Sequence, residues 1–64
     1  MNDSTGKQIA VGAEVAVPLP NGTDEWSYEF NGYVDGFHGG YAVVIDGDGD
    51  AFCVESERLT IVEE

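Results

Sequence analysis

Carboxylates, one thiol and one imidazole are the groups of this sequence with the chemistry to hold a metal or attack a substrate. Asp46, Asp48 and Asp50 alternate with Gly47 and Gly49. They fall on the first, third and fifth positions of a calcium-binding loop, with Glu57 on the twelfth, and hard cations need oxygens clustered at such spacing. The sixth position needs a glycine for its sharp turn, and Ala51 stands there. No helical pattern flanks the segment, and Phe52 and Val54 already alternate as a strand. The segment therefore reads as a hairpin turn with solvated carboxylates, with no tight metal site. Cys53 and His38 are the sole residues of their types. A nucleophile and its base need a third, orienting group, and none is visible; one Cys and one His are also too few for zinc. Cys53 reads as a small apolar filler and His38 as an exposed turn residue. There is no phosphate-cradling loop, and 64 residues are few for an enzyme pocket of roughly 300–1,000 Å³. The expectation is a protein that is not an enzyme and carries no cofactor.

The aromatic rings offer recognition rather than catalysis. Phe30 and Phe52 share the parity of neighbouring valines and belong to the core. Trp26 and Tyr28 share that parity but stand at the start of their strand, at a rim. Tyr33 and Phe37 fall on the opposite face. Rings bury much area and anchor interfaces, so they serve either the small core or a partner. Acidic residues surround them: Asp24, Glu25, Glu29 and Asp35. Trp26, Tyr28, Tyr33, Asp35 and Phe37 are the expected partner-binding residues, facing a basic or aromatic-contacting protein or peptide.

Charge narrows the partner class. Thirteen acidic residues face Lys7 and Arg58, for a formal net charge of −11. Phosphate neutralisation needs Lys and Arg, so no nucleic acid is expected to bind. Anionic membranes are disfavoured on the same ground. The acidity serves solubility, a cationic partner, or, as an alternative function, mimicry of nucleic acid that inhibits a nucleic-acid-binding protein.

The elements that must position these residues are short strands. Val15 and Val17 alternate; so do Phe30, Gly32 and Val34; so do Tyr41, Val43 and Ile45; so do Phe52 and Val54. Period two between glycine-rich turns predicts strands near 13–18, 26–37, 41–46, 51–55 and 60–62. The predicted core is Val15, Val17, Phe30, Val34, Val43, Ile45, Phe52, Val54, Leu59 and Ile61. Residues 18–25 form a loop, because Pro18 and Pro20 cannot donate to a ladder and Asn21-Gly22 is a turn signal. Gly32 marks a bend or a close backbone approach. Gly39-Gly40 closes a hairpin, and residues 56–59 suit a single 3₁₀ turn. Residues 1–8 are polar and aperiodic, a flexible segment ahead of a single domain over 9–64, and Glu63-Glu64 is a solvated tail. The opening residues lack the pattern of a signal peptide, and a lone cysteine suits a reducing, cytoplasmic setting.

This order of elements resembles the SH3-like barrel, and within it the Tudor and KOW-like small barrels, and the composition resembles that of a bacterial protein of this class more than a chromatin module. Residues 11–17 (Val-Gly-Ala-Glu-Val-Ala-Val), Phe30-Asn31-Gly32-Tyr33-Val34, residues 41–46 and residues 52–59 carry the resemblance. It spans residues 9–63 and implies a five-stranded antiparallel SH3-like barrel, all-β, with a short 3₁₀ turn before the last strand. Tudor-type domains hold methylated Lys or Arg in a rim cage of aromatics and an acid by cation–π attraction. By that resemblance Trp26, Tyr28 and Tyr33, with Asp35 or Asp46, supply the parts of such a cage. The basic loops of KOW-like nucleic-acid binders are missing from this sequence.

Overall fold

A computed structural model describes residues 1–22 and 24–63. The expectations that fall on Thr23, within the loop 18–25, and on Glu64, in the acidic tail, lie outside the described residues. The chain is all-β. Strands β1 (Glu14–Val17), β2 (Phe30–His38), β3 (Tyr41–Ile45), β4 (Ala51–Glu55) and β5 (Thr60–Ile61) are joined in chain order, with a 3₁₀ turn at Ser56–Arg58 before the last. They make one antiparallel sheet in the order β4-β3-β2-β1-β5. That order is compatible with an SH3-like fold. The ladder is not closed into a barrel: β4 and β5 are its two edges.

Three local features shape the sheet. At Gly32 a Cβ would stand 2.5 Å from the Ile45 carbonyl oxygen and 2.7 Å from Val44 Cγ1, so β2 crosses β3 at a distance that only glycine permits. Asp35 is the extra residue of a bulge, because Val34 pairs with Val44 while Gly36 pairs with Val43. At the β2–β3 hairpin Gly39 holds a φ of 62°, which a tight turn of the right twist needs.

The core is Ile9, Val15, Val17, Trp26, Val34, Ala42, Val44, Val54 and Leu59, with Phe30, Phe52 and Ile61 packed against it. Two expectations are corrected. In β3 the core-facing residues are Ala42 and Val44, both 0% exposed, and not Val43 and Ile45, which are half-buried on the other face. Tyr-Ala-Val-Val-Ile is apolar at every position, so alternation cannot choose its face. Pairing with Val34 chooses it, because directly opposed residues share a face. The second strand begins at Phe30 and not at Trp26. Trp26 is instead folded inward, 5% exposed, and its indole Nε1–H donates to the Pro18 carbonyl at 2.8 Å.

Residues 1–8, expected as a flexible segment, carry hydrogen bonds to the end of the sheet. Asp3 is 5% exposed. Its Oδ1 accepts from the Thr5 N–H, the Thr5 hydroxyl and the Lys7 N–H, and its Oδ2 accepts from the Ile61 N–H at 2.9 Å. The Ser4 N–H donates to the Leu59 carbonyl at 2.7 Å. One carboxylate thus seats the opening turn on β5, a kind of order that leaves no periodic trace in sequence. The Ile61 N–H bond above all, with the bonds from Thr5 and Lys7, holds the Asp3 carboxyl below the ordinary carboxylate range, against the opposing effect of its desolvation.

Candidate functional site

In an antiparallel meander, alternate connections lie at the same end of the sheet. The β1–β2 connection (residues 18–29) and the β3–β4 turn (residues 46–50) therefore face each other, and a cleft of about 230 Å³ lies between them. Its apolar walls are Trp26, Tyr28, Phe30 and Phe52. Its acidic residues are Glu25 from the connection and Asp46, Asp48 and Asp50 from the turn.

The rings form one packed group. Trp26 meets Phe52 edge-on, with centroids 6.5 Å apart and planes at 71°. Phe30 lies 5.6 Å from Phe52. Such pairs add about 0.5–1.5 kcal/mol beyond the area they bury. Tyr28 is 66% exposed and is the accessible ring of the cleft.

The connection is held by an ion pair. Arg58 grips Asp24 with two nitrogens, at 2.9 and 3.2 Å. Its guanidinium carbon sits 5.2 Å from the centroid of the Trp26 ring, within cation–π range. Hydrogen bonding to Arg58 lowers the Asp24 pKa, and the same bond raises that of Arg58. The 3₁₀ turn that carries Arg58 thereby fixes the loop that carries Trp26 and Tyr28.

The turn across the cleft is held by Asp46. Its Oδ1 accepts the Asp48 and Asp50 N–H groups, each at 2.9 Å. One oxygen of the calcium-like spacing thus serves the turn itself. Among the described residues, no group of His, Cys, Asp and Glu is gathered for a metal ion.

The predicted partner-binding residues fall in separate places. Trp26 and Tyr28 line the cleft, Trp26 from the interior and not as an exposed ring. Tyr33 is 58% exposed and pairs with Ile45 on the face away from the core. Asp35 occupies the bulge. Phe37 does not share the face of Tyr33: the bulge shifts parity, and Phe37 pairs with the buried Ala42 at the far end of β2. Asp48, Asp50 and Phe52 join the cleft instead, and the shared end of the two connections was the signal that could have found them.

No family model, no curated protein and no solved structure matches the chain. Class therefore rests on fold and site: a small antiparallel β domain with an acidic, aromatic-walled cleft between two loops. Among the described residues no helix is long and apolar enough to cross a membrane.

Proposed function

We infer that this protein is a non-catalytic binding module of the SH3-like type, resembling Tudor domains, that takes a basic protein or peptide at the cleft between the β1–β2 connection and the β3–β4 turn. The observation that carries this reading is the company of rings and carboxylates at one opening. Glu25, Asp48 and Asp50 attract a cation, and Tyr28, beside Phe30 and Phe52, supplies a ring face and apolar walls for it.

The charge inventory supports it. Of the two Lys and Arg residues, Arg58 is bound to Asp24 and Lys7 to Glu63. The carboxylates of the cleft have neither as a partner. An incoming Lys or Arg would lower the repulsion among them and gain on-rate from the field.

Trp26 is the single tryptophan and reports on the cleft by its fluorescence. A lysine-rich peptide is expected to change its emission and to bind more weakly as salt rises. The double variant Asp48→Asn, Asp50→Asn should lose about 2- to 30-fold in affinity, from about 0.2–1 kcal/mol per exposed pair. A glutamate-rich peptide or duplex DNA that binds as tightly as the lysine-rich one would refute the reading.

A further inference from the structure

The two edges of the sheet are unlike. The β5 edge is covered by the opening turn, through the Asp3 carboxylate on the Ile61 N–H and the Ser4 N–H on the Leu59 carbonyl. The β4 edge has no such cover among the described residues. The Asp46 N–H donates to the Asp50 carbonyl at 3.0 Å, which sets the phase of the β3–β4 ladder. Val44–Phe52 and Ala42–Val54, at steps of two from that pair, are then the hydrogen-bonded pairs. The N–H and C=O groups of Ala51, Cys53 and Glu55 point away from β3, off the open side of the sheet. All three residues are exposed, and none makes a backbone bond outside the ladder among the described residues.

This edge opens onto the candidate site. The cleft reaches β4 at Phe52. A second cavity of about 370 Å³ reaches it at Cys53 and Glu55. The two cavities share Glu25 and Trp26, so together they flank β4 from the acidic turn to its C-terminal end. Acid stands at both ends of the path: Asp48 and Asp50 at one, and at the other Glu55, beside the ion pair of Asp24 and Arg58.

We propose that the partner is an extended, lysine- or arginine-bearing segment that adds to the free β4 edge as a further antiparallel or parallel strand, one of its basic side chains entering the acidic cleft. The inference rests on the proposed function for its partner class and adds the mode of recognition. Main-chain bonds to Ala51, Cys53 and Glu55 supply sequence-tolerant affinity, and the cleft supplies the preference for a cation. A second copy of this chain is the wrong occupant, because edge-to-edge pairing would bring together two chains of net charge −11, each with an acidic turn before β4 and Glu55 at its end.

An eight-residue peptide of alternating lysine and threonine tests it, in three forms: unmodified, N-methylated on every lysine, and N-methylated on every threonine. All three carry the same charge, and each methylated form loses the N–H groups of one parity. Binding is followed by amide spectra and amide hydrogen exchange of the whole chain. Strand addition predicts that one methylated form binds at least about tenfold more weakly than the other. It also predicts that the Ala51, Cys53 or Glu55 amides exchange at least about tenfold more slowly at saturation. If the peptide shifts the cleft residues while both methylated forms bind alike and the edge amides exchange as before, strand addition is wrong and the proposed function stands. If neither cleft nor edge responds to any form, both are wrong.

Discussion

At the scale of single residues, Asp3 and Gly32 act on the fold through contacts that alternation does not encode. Asp3 gathers donors from Thr5, Lys7 and Ile61 onto one carboxylate. Its pKa is depressed on folding, so the unfolded chain takes up the proton first. Its contribution is present in full above the ordinary carboxylate value of about 3.9 and is lost as pH falls through the lower, folded value. Asp3→Asn should therefore lower the melting temperature at pH 7, and the gap to the parent should narrow steadily below about pH 4. Thermal unfolding across pH 2–7 checks this; a gap that stays constant would deny the carboxylate its role. Gly32 makes the converse point, since period two gave its position and the need for glycine there lies in another strand. A Cβ would meet the Ile45 backbone, which cannot swing aside as a side chain can. Gly32→Ala should destabilise by about 1–3 kcal/mol, measured by urea unfolding, and a neutral outcome would contradict the close crossing of β2 and β3.

At the scale of elements, what was legible in the sequence was the order of strands and turns. All five strands, the proline-interrupted loop, the glycine hairpin and the single 3₁₀ turn follow from local chemistry. Faces were legible only where apolar and polar residues alternate, as in Glu14–Val17. In Tyr41–Ile45 they do not, and pairing with β2 decides. The bulge at Asp35 carries no sequence signal of its own, yet it sends Phe37 to the face opposite from Tyr33 and so scatters the expected set of rings. The cleft is half legible: parity puts Trp26 and Tyr28 at a rim, but the partnership of the acidic turn with them is a property of topology. The corrected face of β3 has a direct test. Val44→Thr places a hydroxyl at a fully buried position and should cost about 1–3 kcal/mol, whereas Val43→Thr, on the half-buried outer face, should cost much less. Equal losses in chemical denaturation would return the strand to the opposite face. Such losses are large here, since a domain of 64 residues has about 3–10 kcal/mol in all at typical stability per residue.

At the scale of the whole molecule, charge and size set the behaviour. The radius of gyration is 10.4 Å, close to the value of about 10.7 Å for a compact chain of this length. The molecule measures 26 × 21 × 20 Å, which is smaller than the screening length of about 30 Å at 0.01 M salt. At that salt each carboxylate feels nearly every other, and the repulsion opposes folding. Raising sodium chloride from 0.01 to 0.5 M should raise the melting temperature; a fall would mean that the ion pairs of Arg58 and Lys7 outweigh the repulsion. The proposed function has the same field draw a basic chain to the acidic cleft, and one experiment tests that most directly. With a lysine-rich peptide at 0.15 M salt, the backbone amide map is predicted to shift at residues 24–30 and 46–55, with Tyr33 and Asp35 unmoved. Shifts centred on Tyr33 and Asp35, or an equal response to duplex DNA, would contradict the account.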